Sequence, residues 1–116
     1  MIVLFGISNC DTIKKTRKWL QSKGLDYEFH DYKKQGCDAK LAGTLTAVFE
    51  LDRLINKRGT TWRNLPEQVK NSLTAEKARE LMTANPSVIK RPILKIGDQW
   101  ALGYDEKLWE SLSKKQ

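Results

Sequence analysis

An α/β fold is predicted for this chain, and three features of the sequence predict it. The first is an apolar run followed by a helical pattern and then an alternating run, the order of a parallel strand–helix–strand unit with a right-handed crossover. The second is a pair of short apolar segments joined by Gly97-Asp98, the signature of a hairpin. The third is the helical periodicity between them, over about residues 38–85, which reads as a helical insert.

Each element follows from local chemistry. Residues 1–5 are continuously apolar, partly β-branched or aromatic, and are stopped by Gly6 and a Ser8-Asn9 turn, so they read as a short buried strand. Ile13, Thr16, Trp19 and Leu20 then recur at helical spacing until Lys23-Gly24 stops the helix. Residues 25–32 alternate as a strand with one buried face, and Lys33-Lys34-Gln35-Gly36 is a polar turn. Asp38 is suited to cap a helix marked by Leu41, Leu45, Val48 and Phe49, and Leu51, Leu54 and Ile55 extend its apolar face by about one turn. Asn56-Lys57-Arg58-Gly59 breaks that pattern. Residues 60–71 carry a weaker signal, in which Leu65-Pro66-Glu67 predicts a helical turn with proline at its first position. Thr74 caps a further helix that turns Ala78, Leu81 and Met82 inward and ends at Asn85-Pro86. Residues 93–96 and 100–102 form the hairpin, and residues 105–113 a last helix carrying Leu108, Trp109 and Leu112.

At 116 residues the chain reads as one domain, spanning 1–116 and able to build a core without staples. Two cysteines do not make a disulfide framework, no charged segment precedes the opening apolar run, and no stretch approaches the length of a membrane span. The expectation is a reducing, cytoplasmic setting without a membrane partner. A net charge of +7 calls for an anionic partner, yet the positive residues are spread along the chain instead of gathered in a block. That distribution argues against nucleic acid and suits an anionic small molecule.

Cys10 stands where the first strand has ended and the first helix begins. First-turn amides have no partner inside a helix, and the summed peptide dipoles put roughly half a positive charge at that end, so both favour a thiolate. A free cysteine titrates near about 8.5, and cysteines at helix N-termini range from roughly 3.5 to 7.5. Lys14, one turn on, adds attraction, whereas Asp11 opposes it. The plainer reading is an ordinary thiol that happens to start a helix.

The order strand, helix, strand, helical insert, hairpin, helix is that of a thioredoxin-like fold, in which a redox thiol heads the first helix and a proline precedes the third strand. Pro92 stands in that place, and an X-Pro bond adopts the cis form at a cost of only about 0.5–1 kcal/mol. A trans proline opening an ordinary strand is the other reading.

Gly6-Ile7-Ser8-Asn9-Cys10-Asp11-Thr12, the stretch Ile55-Asn56-Lys57-Arg58-Gly59-Thr60-Thr61-Trp62-Arg63, Asn85-Pro86 and Ile89-Lys90-Arg91-Pro92-Ile93 together resemble the arsenate-reductase-like (ArsC) family. Within it they are most similar to the bacterial ArsC-related reductases of the YffB type, a group related to the regulator Spx. The resemblance runs through the chain in order. It implies glutathione- or glutaredoxin-linked thiol chemistry with glutathione as co-substrate and no tightly bound cofactor. It also implies a catalytic Cys10 as nucleophile, with Arg91 holding an oxyanion and Arg58 or Arg63 matching a second arginine. A third family arginine falls near Gly103-Tyr104, where this chain has none, which favours a glutathione or protein-disulfide substrate over arsenate. Glutathione's carboxylates would then need basic groups at the rim, such as Lys14, Arg58 or Arg91, while the backbone before Pro92 pairs with the peptide.

No cysteine follows Cys10 at the dithiol spacing, since that position is Ile13, so a monothiol mechanism is expected, with Cys37 a free structural cysteine. His30, the sole histidine, is read as structural, and one histidine with two distant cysteines does not suit zinc. Trp19 and Trp109 fall on apolar stripes. Trp62 is read as pinning the insert to the sheet, with stacking on a ligand the alternative. Two functional readings stay open: a glutathione-dependent thiol oxidoreductase, or an Spx-like regulator that contacts RNA polymerase. A chain ending soon after the last helix, and a Cys10 without a paired cysteine, lean toward the enzyme.

Overall fold

The opening apolar run becomes β1 (Ile2–Gly6), an interior strand of a four-stranded sheet of order β2-β1-β3-β4. Consecutive residues of this strand, which point to opposite faces, are buried from Leu4 to Gly6, in keeping with a run that is continuously apolar instead of alternating. β2 (Glu28–Asp31) pairs with it in parallel, β3 (Ile93–Ile96) antiparallel on the other side, and β4 (Gln99–Leu102) antiparallel to β3. α1 (Asp11–Ser22) makes the crossover from β1 to β2. The whole is an α/β thioredoxin-like architecture. The structure is a computed structural model that describes residues 1–115. These divide into one unit of residues 1–35 with those from Arg91 onward, and a second of Gly36–Lys90.

In the first unit, Ile2, Leu4, Leu94, Ile96 and Ala101 meet Ile13, Trp19 and Leu20 of α1 and Trp109 and Leu112 of α8 (Glu106–Lys114) in a single core. Alternate strand residues share a face, so this side of the sheet is the one the two helices cover. The rings of Trp19 and Trp109 meet at 5.3 Å, and Trp109 is fully buried, as its stripe predicts. Phe5 lies between the rings of His30, at 5.1 Å, and Trp100, at 5.6 Å. Asp105 caps α8, its carboxylate accepting from the Leu108 amide at 3.1 Å. Leu108 itself is 38% exposed, so the apolar stripe expected of this helix is narrower, resting on Trp109 and Leu112.

The second strand is shorter than its alternation predicts. β1 offers partners from Val3, opposite Glu28, to Gly6, opposite Asp31, and the ladder ends where they do. Leu25 and Tyr27 pack half-buried against the core ahead of it, and Tyr32 opens the one-turn helix α2 (Tyr32–Gln35) where a turn was expected. Gly97, at φ +61°, makes the hairpin turn between β3 and β4.

The second unit is helical: α3 (Ala39–Val48), α4 (Leu51–Leu54), α5 (Thr60–Arg63), α6 (Glu67–Asn71) and α7 (Ala75–Ala84), closed by a 3₁₀ turn at Pro86–Val88. Asp38 caps α3 through the Leu41 amide at 2.8 Å and Thr74 caps α7 through the Lys77 amide at 3.2 Å, both as predicted. α3 packs on α7. The apolar face expected to run on from α3 is interrupted, because Phe49 and Glu50 are extended and the Glu50 carbonyl starts a new set of helical bonds with Leu54, at 3.0 Å. Val48 is left 45% exposed. Pro66 caps α6 from outside instead of occupying its first position, and α5 and the 3₁₀ turn were not legible locally. Ile55 bridges Ile89 antiparallel, flanked by Asn56 donating to the Val88 carbonyl at 2.7 Å and Lys90 to the Leu54 carbonyl at 2.8 Å. Trp62 is buried beneath Lys57, whose ammonium stands 5.5 Å from the ring centre, so it has little surface for stacking on a ligand.

Candidate active site

The head of α1 is built by a close approach that only glycine permits. Gly6 ends β1, and a Cβ there would collide with Cδ1 of Ile13 and stand 2.8 Å from its Cγ1. The missing side chain lets the first turn of α1 sit against the strand end. Ile7 is buried, Ser8 and Asn9 are exposed, and the Cys10 amide donates to the Ile7 carbonyl at 3.3 Å. Cys10 is therefore the N-cap residue of α1, with extended backbone and a carbonyl that accepts from Lys14 at 3.0 Å.

The Cys10 sulfur is half-buried and forms no capping hydrogen bond of regular geometry. Burial pushes the thiol's pKa up. The Ile13 amide, the Arg91 guanidinium and the Thr12 amide pull it down, and together they prevail, so it lies below the ordinary cysteine value. These are the groups that stabilise negative charge on sulfur. Lys14 and Asp11, which the sequence sets against one another, are both exposed, where water screens their influence.

Arg91 reaches the thiol from the segment just ahead of β3. Its Cδ lies 4.0 Å from the point a Gly6 Cβ would occupy, so its aliphatic stem runs over the end of β1. The Arg91–Pro92 bond is cis. Pro92 is buried, and its carbonyl accepts from the Gly103 amide at 2.9 Å. Gly103 is itself buried at φ +87°, a conformation that an arginine would adopt only with strain. Beside it, Tyr104 is exposed, donates to a Glu106 carboxylate oxygen and carries Lys15 5.9 Å above its ring.

The first unit thus holds Cys10, Lys14, Arg91 and Pro92, with Arg91 turned to Cys10. Arg58 and Arg63 belong to the second unit. Arg63 is exposed at the end of α5, where its carbonyl accepts from Lys70 Nζ at 2.9 Å, and exposed Arg58 lines a basic pocket with Lys57 and Lys90. Cys37, also in the second unit, is buried, and burial, reinforced by the charge of Asp38, pushes its thiol up to about 11. Both cysteines are free. Among the described residues no three His, Cys, Asp or Glu side chains gather as a metal site requires, and no helix is long and apolar enough to cross a membrane. The sequence marks Gly6 as the stop of a strand and Gly103 as a place without the family arginine; the close approach of Ile13 to Gly6 and the left-handed backbone of Gly103 are what the structure adds.

The ArsC family model matches residues 5–112. A Haemophilus influenzae protein described as uncharacterised is 43% identical over 111 residues, 96% of this chain and 97% of that one. The solved structure of a YffB protein superposes with a TM-score of 0.92 at 40% identity, covering 97% of this chain and 98% of that one. An arsenate reductase (ArsC) related protein from Brucella melitensis gives 0.77 at 44% identity, over 95% and 92%. The regulatory protein MgsR of Bacillus subtilis also matches, at 25% identity over 99% of this chain and 92% of its own.

Proposed function

The chain belongs to the ArsC family, and from that premise we propose that it is a cytoplasmic monothiol oxidoreductase that uses glutathione as co-substrate. The observation that carries this reading is the Cys10 thiol at the head of α1, held below the ordinary cysteine pKa against the effect of its own burial by two amides and the Arg91 guanidinium. Lowering the pKa enlarges the fraction of Cys10 present as thiolate, which is the nucleophilic form. The similarity to the arsenate reductase (ArsC) related protein of Brucella melitensis supports the reductase class.

In the proposed reaction, Cys10 attacks the glutathione sulfur of a mixed disulfide. The sulfur–sulfur bond of the substrate breaks, the substrate leaves as a thiolate, and Cys10 carries the glutathionyl group. A second glutathione thiolate then attacks the glutathione sulfur of that adduct, releasing glutathione disulfide and restoring the Cys10 thiolate. The net exchange consumes one glutathione, as the disulfide bond passes from the mixed disulfide to glutathione disulfide, and glutaredoxin is a fitting partner for the second step. Arg91 stabilises the sulfur anion that leaves each time Cys10 is regenerated. Cys37 takes no part, since a buried thiol pushed up to about 11 supplies little thiolate at neutral pH. An oxyanion substrate is less suited, because the left-handed backbone at Gly103 disfavours an arginine there and leaves Arg91 as the guanidinium turned to the thiol.

The test is intact-mass analysis of the Cys37→Ala protein with glutathione disulfide, alongside turnover of a glutathionylated peptide. One adduct on Cys10, and loss of turnover in a folded Cys10→Ser protein, are expected; turnover that survives Cys10→Ser overturns the reading. A second reading, a regulator that contacts RNA polymerase, is favoured by the similarity to MgsR. It requires co-purification with polymerase that persists in Cys10→Ser, and no complex at physiological salt counts against it.

A further inference from the structure

We propose that the second unit carries a binding site of its own for a small polyanion, formed where residues 52–58 meet Lys90. The site is a pocket of about 380 Å³ lined by Asp52, Arg53, Asn56, Lys57, Arg58 and Lys90 over Ile55. Four cations face one carboxylate. Pockets of this size suit small ligands, and a recess lined by one sign of charge concentrates the field that draws a ligand of the other sign.

The arrangement is built into the backbone and does not depend on the chance meeting of long side chains. Ile55 bridges Ile89, and the bonds from Asn56 to Val88 and from Lys90 to Leu54 hold the two segments as a short antiparallel ribbon. That ribbon sets Lys90 beside a stretch distant from it in sequence. Ile55 and Ile89 anchor it, being 2% and 0% exposed. The Asn56 side chain accepts from the Arg58 amide at 3.2 Å and the Gly59 amide donates to the Asn56 carbonyl at 3.3 Å, so the turn that carries Lys57 and Arg58 is held as well.

Neutralisation within the pocket is incomplete. Among the described residues the ion pair formed inside this lining is Lys57 with Asp52, at 2.9 Å, and Asp52 is 86% exposed. An exposed pair of this kind is weak, and Lys57 is shared with the face of the Trp62 ring. Arg53, Arg58 and Lys90 are left to bind one ligand carrying two or more anionic groups. Two guanidinium forks and an ammonium suit clustered carboxylate or phosphate oxygens. The inference does not rest on the thiol chemistry proposed for Cys10.

The experiment is calorimetric titration of the Cys10→Ser protein, which cannot form the covalent adduct, with inorganic triphosphate and, separately, glutathione disulfide. Triphosphate tests the phosphate source of the ligand chemistry and glutathione disulfide the carboxylate source. Saturable one-to-one binding of either probe is expected, weakened by about tenfold or more in Arg53→Ala/Lys90→Ala. A Lys18→Ala/Lys107→Ala control removes the same charge from the first unit and should leave the affinity within about twofold. Failure of both probes to saturate at millimolar concentration overturns the proposal. So does binding that the Arg53→Ala/Lys90→Ala protein retains, or that the control loses equally, since the attraction would then belong to net charge and not to this pocket.

Discussion

The guanidinium of Arg91, just ahead of β3, faces the sulfur of Cys10 at the head of α1, and with the Ile13 and Thr12 amides it lowers the pKa of that thiol. A thiolate beside a fixed cation is stabilised. Arg91→Ala is expected to slow the reaction of Cys10 with glutathione disulfide at neutral pH by about tenfold and to move its pH–rate profile to higher pH. Arg91→Lys, which keeps the charge but loses the fork, falls between the two. Stopped-flow rates across pH, measured on a Cys37→Ala background, decide it; a profile left unchanged by Arg91→Ala would mean that the helix amides act alone.

Cys37 makes the opposite prediction. Its native thiol is pushed up to about 11 by burial and Asp38, against an unfolded value of about 8.5. Between those two values the unfolded chain has released a proton that the native state still holds, so stability falls as pH rises through that window. The loss at pH near 9.5 is about 1 kcal/mol relative to neutral pH, and Cys37→Ala removes this component. Urea denaturation of both proteins from pH 7 to 10 measures it, and parallel curves would show that Cys37 does not titrate differently in the two states.

Gly6→Ala should cost about 1–3 kcal/mol, because its methyl group collides with Ile13 Cδ1 and Ile13 is fully buried, so its side chain must repack to make room. Combining it with Ile13→Val, which removes the Cδ1 carbon, should recover part of that cost in a double-mutant cycle. Simple additivity would mean that the helix shifts as a body.

Gly103→Ala is expected to cost about 1–2 kcal/mol, since the residue sits at φ +87° while its amide holds the Pro92 carbonyl at 2.9 Å. Gly103→Asn should cost less, because asparagine tolerates the left-handed region better than other side chains. Thermal unfolding separates the two, and equal midpoints for the native and Gly103→Ala proteins would show that this turn relaxes.

The legible parts of the fold were those that a few neighbouring residues decide. Asp38 and Thr74 each cap the helix they precede because a short oxygen-bearing side chain reaches an amide within one turn, and Asp105, expected to begin the last helix, caps it in the same way. Trp19 and Trp109 are buried because helical spacing sets them on apolar stripes. The end of the helical face beyond Val48 was misread, since Leu51, Leu54 and Ile55 keep a helical spacing across a break that the spacing itself does not record.

By itself, then, the sequence determined the order of the elements, the placing of Cys10 between a strand's end and a helix's start, and the hairpin at Gly97-Asp98, all set by interactions within a few residues. Only the tertiary structure decided the length of β2, because a ladder runs as far as its partner strand. It also decided the closeness of Ile13 to Gly6, the facing of Arg91 and Cys10, and the gathering of Arg53, Arg58 and Lys90. Strand pairing, close approach and charge proximity join residues remote in the chain, and no local pattern of side chains encodes a distance that the rest of the fold must close.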